Sequence, residues 1–173
     1  MAVFLHESIG LDRFNHLSDR AAMHALFECC SSSIWARRVA CGRPFDDEDS
    51  LLDRADRVLA ELSETEIDRA LDGHPRIGAA VASGTSSQRE QAAVAEANDE
   101  VKDALAKANS TYEEKFGHVY LVCASGRPAA ELLDILTERL DNDPETERRV
   151  MRVELSKINR IRLTRLLSER RYE

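Results

Sequence analysis

Breakers of regular structure are scarce in this chain: 7 glycines and 4 prolines among 173 residues. That scarcity excludes low-complexity and linker-rich architectures and leaves long stretches open to helix. An excess of basic charge is also missing. With 24 Lys and Arg against 32 Asp and Glu the net charge is −8, so a nucleic-acid backbone meets a repulsive mean field and is a poor candidate partner. No apolar run approaches the roughly 18 residues of a membrane span, and MAVFLHESIG lacks the basic-then-apolar pattern of a secretory leader. No membrane association is expected, and the expected compartment is the cytoplasm. The four cysteines, Cys29, Cys30, Cys41 and Cys123, form neither a CxxC pair nor the paired spacing of a zinc site, so buried free thiols in a reducing compartment are expected. A Gly-rich phosphate loop, a nucleophile elbow and a metal-ligand helix pair are absent too, so no metal site is expected.

Hydrophobic residues make up 43% and charged residues 32%, the profile of a helix-rich globular protein. The length fits one domain, residues 1–173, with a core of its own. After a lead-in over 1–17 with a short helix, Ser18 can cap a helical stretch running to Cys41-Gly42, where Pro44 blocks continuation. Asp46 or Asp47 opens the next helix, whose Leu51, Leu52, Ala55, Val58, Leu59 and Leu62 form one apolar face. Ser63-Glu64-Thr65-Glu66 has capping-box form ahead of a short helix to Asp72. Residues 88–116 contain neither proline nor glycine and read as one long helix stopped by Gly117. VYLVCA, 119–124, has the β-branched content of a strand but no partner, so it reads as a short buried extended segment. Pro128 and Pro144 open helices at about 128–141 and 144–170. The expected fold is an all-α single-domain helical bundle.

Three places stand out chemically. His74 lies between a glycine that ends a helix and a proline that pushes it out of the helical region. Its near-neutral titration suits proton transfer, although a loop histidine is more often a hydrogen-bonding surface residue. Ser87 and Glu90, within SQREQ, also fit a capping box, which would explain both structurally; the same helix start would equally suit an anion. Arg162 falls on the apolar stripe Met151, Leu155, Ile158, Arg162, Leu166. It reads either as a structurally paired or snorkelling arginine or as a clamp for a carboxylate or carbonyl-rich ring.

The motifs HPRIG (74–78), SQREQ (87–91), YEEKFG (112–117), VYLVCASGR (119–127) and KINRIRL (157–163), with ALFECCSSSIWARRVACGRPF (25–45) upstream, resemble the 2-oxo-4-hydroxy-4-carboxy-5-ureidoimidazoline (OHCU) decarboxylases. The resemblance covers nearly the whole chain with its motifs in order. It implies an all-helical, cofactor-free enzyme, a homodimer, acting on a small ureidoimidazoline in the last step from urate to (S)-allantoin. His74 and Glu90 match the catalytic residues. Pro75, Ser87 and Gln91 match substrate-contacting positions, the segment Tyr120, Leu121, Val122, Cys123 and Ala124 would offer backbone contacts, and Arg162 would be the clamp. Departures are Arg76 in a compact HPRIG, Tyr120 in place of the usual phenylalanine, serines at 31–33 where a proline is expected, and an Arg-Tyr-Glu end in place of the peroxisomal tripeptide of some eukaryotic members. The competing readings are a helical binding module without catalysis, or another small-ring decarboxylase or hydrolase.

Overall fold

A computed structural model describes residues 9–168, all of whose regular structure is helical. The chain divides into two compact units, one made of the residues up to Gly73 together with those from Ser156 onward, the other of His74–Leu155. No helix among the described residues is long and apolar enough to cross a membrane.

The first unit holds α1 (Leu11–Asn15), α2 (Asp19–Cys29), α3 (Ser33–Ala40), α4 (Glu48–Ala60) and α5 (Glu64–Asp72), and takes the end of α10 (Pro144–Leu167). Caps set most of these boundaries as the sequence suggests. Ser18 accepts from the Ala21 N–H at 3.3 Å, and Asp47 and Ser50 cap α4 reciprocally. Leu51, Leu52, Ala55, Val58 and Leu59 are the buried face of α4. The stretch expected to run as helix from Ser18 to Cys41 is instead two helices, broken at Cys30–Ser32. The physical reason is a tertiary competitor for the backbone. Ser32 Oγ accepts from the Trp35 N–H at 3.1 Å, capping α3, and donates to the buried Glu66 carboxylate at 3.0 Å. Glu66 is thereby diverted from its expected role. Ser63 caps α5 at 3.3 Å, but the Glu66 carboxylate binds Ser32 and Arg69 rather than closing the box. Arg43, in GRPF, donates to the carbonyls of Phe14, Leu17 and Ala40 and to Asp19, tying this loop to the start of the unit.

The second unit contains α6 (Ser86–Glu90), α7 (Ala92–Ala95), α8 (Asp99–Phe116), α9 (Ala129–Arg139) and the start of α10. The single long helix expected over 88–116 is therefore three. Asn98 caps α8 by accepting from the Val101 N–H at 2.9 Å, a local start signal strong enough to interrupt an alanine-rich run. Gly117, at φ 74°, ends α8 in the left-handed conformation, as expected. Pro128 caps α9 and Pro144 is the first residue of α10; the predicted end of α10 at 170 lies outside the described residues. Helices α8 and α9 pack together around Leu105, Tyr112, Leu132 and Leu136, all fully buried, with Tyr120, Val122 and Ala124 of the non-helical segment in the same core.

Candidate active site

Gly73 ends α5 with an ordinary helical φ of −81°, so its lack of a side chain serves space rather than conformation. A Cβ there would lie 2.0 Å from Ser31 Oγ and 2.5 Å from Ser31 Cβ, an impossible approach. His74 follows, 7% exposed. The rest of HPRIG is held by three side chains from elsewhere in the unit, two of them in other motifs. Asn109 Nδ2 donates to the Ile77 carbonyl at 3.0 Å, and Gln91 Oε1 accepts from the Gly78 N–H at 3.0 Å. Arg76 pairs with Glu113 of YEEKFG at 2.5 Å, which raises its pKa further. Gly78 takes φ +85°, a value that a residue with a side chain reaches only with strain. Arg76, a departure from the family pattern, is thus occupied in fastening this loop to α8.

Glu90 and Gln91 are both 8% exposed. The capping-box reading of Ser87 and Glu90 is corrected here. The cap of α6 is Thr85, whose Oγ1 accepts from the Gln88 N–H at 3.2 Å, while Gln88 Oε1 accepts from the Gly84 N–H at 2.7 Å. Ser87 lies inside the helix and Glu90 is its last residue. Nor does a long helix begin here, because α6 has five residues, so an anion site at the start of a long helix is not formed. A cavity of about 370 Å³ adjoins this corner, walled by Gly78, Ala79, Val81, Gln88, Gln91 and Lys102 among others. It carries Gln91 but neither His74 nor Glu90, so it touches the corner from the glutamine side.

The segment 119–124 is non-helical and, apart from half-buried Val119 and Cys123, buried. The Tyr120 hydroxyl donates to the Leu132 carbonyl at 3.1 Å inside the core, and burial pushes its pKa up. The oxygen that distinguishes it from phenylalanine is therefore spent on α9. The Cys123 thiol is raised by burial and by the carboxylates of Glu154 and Glu90, against the lowering effect of the Ser125 backbone. SQREQ is tied to HPRIG by the Gln91–Gly78 bond, and Ile77 of HPRIG shares one core with Tyr120, Val122 and Ala124, so the three motifs meet in one unit.

Sequence reasoning missed two groups that hold the segment. Arg139 Nη1 donates to the Leu121 carbonyl at 2.8 Å, and the Cys123 N–H donates to Glu154 Oε2 at 2.8 Å. Arg139 is itself neutralised by Glu147, which is 0% exposed and accepts from Arg139 Nε at 2.8 Å and Nη2, from the Tyr112 hydroxyl and from Asn142 Nδ2 at 2.8 Å. Burial opposes the guanidinium charge, but the Glu147 carboxylate outweighs it and raises the Arg139 pKa. Burial, then Glu147, raises that of Tyr112. A signal was available. Glu147, Met151, Glu154, Leu155, Ile158 and Arg162 share one stripe of α10, so the periodicity that singles out Arg162 singles out both glutamates.

Arg162 belongs to the first unit. It is 7% exposed, on a stripe whose Met151, Leu155, Ile158 and Leu166 are all buried, and Nη1 donates to the Cys29 carbonyl at 3.2 Å. Cys29 and Cys30 are buried, whereas Cys41 is exposed and Cys123 intermediate, so the expectation of uniformly buried thiols fails for those two.

A family model described as OHCU decarboxylase matches residues 15–164. Among relatives, the chain is 29% identical over 149 residues to the "Uric acid degradation bifunctional protein TTL" of Arabidopsis thaliana, covering 82% of this chain and 46% of that one. It is 28% identical over 162 residues to a uric acid degradation bifunctional protein of Bacillus sp. (strain TB-90), covering 92% and 32%. It is also 28% identical over 138 residues to the 2-oxo-4-hydroxy-4-carboxy-5-ureidoimidazoline decarboxylase of Amia calva, covering 75% and 78%. The chain thus spans less than half the length of the two bifunctional relatives. A crystal structure of OHCU decarboxylase in the presence of (S)-allantoin superposes with a TM-score of 0.76 at 28% identity, over 88% of this chain and 100% of that one.

Proposed function

Because the chain belongs to the OHCU decarboxylase family, we propose that it removes CO₂ from 2-oxo-4-hydroxy-4-carboxy-5-ureidoimidazoline to give (S)-allantoin. The observation that carries this reading is the meeting of three motifs in one unit. Gln91 Oε1 accepts from the Gly78 N–H, joining SQREQ to HPRIG, and Ile77 lies in one buried core with Tyr120, Val122 and Ala124, joining HPRIG to 119–124. The plain-cap reading of SQREQ loses its ground as well, because Thr85 caps α6 and Ser87 lies inside the helix.

The chemistry asks little of a protein. Loss of CO₂ from the carbon bearing hydroxyl and carboxylate leaves an electron pair that the adjacent ring C=N accepts, giving an enol; its hydroxyl loses a proton to become the ring carbonyl as the neighbouring ureido-bearing carbon is protonated. What the protein supplies is position, exclusion of water and proton movement. His74, held on the loop that Asn109 and Gln91 fasten, shuttles the proton. Glu90 orients it and disfavours a spread-out anionic ground state. Ser87, Pro75 and Gln91 shape the pocket; with its Oε1 occupied by Gly78, Gln91 has its amide N–H groups to offer. Arg162 carries the clamp role through its match to the family motif, a guanidinium being suited in general to bidentate recognition. The homodimer belongs to the same proposal and is read by light scattering.

The test is to generate the intermediate from urate in D₂O and follow its near-ultraviolet decay. Faster decay than the blank, with (S)-allantoin carrying one deuterium on the ureido-bearing carbon, is expected. A racemate formed no faster than the blank refutes the assignment.

A further inference from the structure

A buried segment without a neighbouring strand leaves backbone N–H and C=O groups that need partners. Here two side chains stand where a strand would. Arg139 of α9 takes the Leu121 carbonyl and Glu154 of α10 takes the Cys123 N–H, each at 2.8 Å. In an extended chain, residues of the same parity present their groups to the same edge. The Leu121 carbonyl and the Cys123 N–H are thereby committed to the protein. The guanidinium is fixed in turn: the fully buried Glu147 grips it twice and Tyr120 and Tyr112 offer ring faces at 4.9 and 5.9 Å. Tyr120 is pinned to Leu132 and packs edge-on against Tyr112 at 5.3 Å. Every anchor therefore acts on the one segment, and each comes from a helix of the same unit.

We propose that Arg139 and Glu154 are positioning residues, which hold the 121 and 123 edge so that the Val122 edge is presented to the amide groups of the substrate. The inference rests on the decarboxylase reading. A donor and an acceptor on one residue match a ring lactam, and their placement depends on two bonds that no local propensity supplies. A shift of the segment by a fraction of an ångström costs rate rather than fold.

Glu154 separates this from a merely structural role. Glu154→Gln retains an acceptor oxygen for the Cys123 N–H; Glu154→Met fills the space without one. Both are compared with the full-length parent in steady-state decarboxylation, at a temperature well below each melting point, and in exchange of the Cys123 amide proton followed by NMR. We expect Glu154→Gln to stay within about threefold of the parent in kcat/KM, and Glu154→Met to lose roughly ten- to a hundredfold, the scale of a small misplacement. Exchange at Cys123 should accelerate in the methionine variant alone. A folded Glu154→Met with parental kcat/KM overturns the proposal. So does a Glu154→Gln as impaired as the methionine variant, because the charge rather than the hydrogen bond would then matter. Should Glu154→Met not fold, the double variant Arg139→Met, Glu147→Leu removes the Leu121 anchor with its counter-charge, and parental activity there overturns the proposal equally. A parent that does not turn over would end the decarboxylase reading and with it the functional role of both residues, whereas an active parent with indifferent variants ends only the positioning role.

Discussion

Replacing Glu147 by leucine should be among the most damaging single changes in the second unit. The carboxylate is 0% exposed and accepts from Arg139, Tyr112 and Asn142. Without it, Arg139, 6% exposed, keeps the Leu121 carbonyl and two tyrosine faces but no counter-charge. Breaking one side of a buried pair costs about 3–5 kcal/mol. The orphaned Tyr112 hydroxyl and Asn142 amide add to this, about 1 kcal/mol or more each. Against a total stability of roughly 5–15 kcal/mol this is a large fraction. At roughly 2–4 °C per kcal/mol for a chain of this size, the resulting loss of about 5–7 kcal/mol should lower the melting temperature by about 10–28 °C. The double variant Arg139→Met, Glu147→Leu removes both charges and should recover most of that loss, since an apolar pair of similar volume is often as stable as the ion pair it replaces. Thermal melts at 222 nm and urea titrations of the parent, both single variants and the double variant measure the cycle. The reasoning is refuted if Glu147→Leu lies within about 1 kcal/mol of the parent, or if the double variant is as unstable as the worse single one.

Other expectations follow from the same geometry. His74→Asn and Glu90→Gln should each cut turnover by roughly a hundredfold or more with little change in helical signal, the scale for losing an acid–base group; steady-state assays beside melting curves decide this, and an active Glu90→Gln would return Glu90 to a structural role. Gly73→Ala should destabilise by roughly 1–3 kcal/mol because its Cβ would fall 2.0 Å from Ser31 Oγ. Added to a Ser31→Gly background it should do much less harm, and equal harm in both backgrounds would rule out the steric cause. Burial lifts the Cys30 thiol from its ordinary 9.0 to about 11, with Asn159, the Ser32 backbone and Arg162 opposing. Between those values the folded chain holds a proton that the unfolded chain has lost. The contribution is therefore whole below pH 9 and is lost as pH rises to 11, about 3 kcal/mol in all. In Cys30→Ala this part of the alkaline decline should disappear from urea titrations, and an unchanged slope would exclude it.

The helix boundaries that the sequence announces are those made by neighbours in the chain. Ser18, Asp47 and Ser63 cap because a side chain and a backbone N–H three residues on are bound to meet, and Gly117 and Pro144 act through their own φ. Apolar periodicity likewise placed Met151, Leu155 and Arg162 on one buried stripe before any fold was known. His74 was legible because its glycine and proline are adjacent to it. The break at Cys30–Ser32 was not, since Ser32 leaves the helix for Glu66, 34 residues away. The split of 88–116 was hidden for a different reason: no glycine or proline marks it, and the Asn98 cap that starts α8 sits within a run of helix-favouring residues. Tertiary structure alone gave Arg76 a surface partner in Glu113 and the Tyr120 hydroxyl one in the core, and joined Arg139 to Leu121 across 18 residues and Glu154 to Cys123 across 31. Charged residues on a helix read as solvent face until the partner that neutralises them is known, and such partners are found by folding, not by spacing.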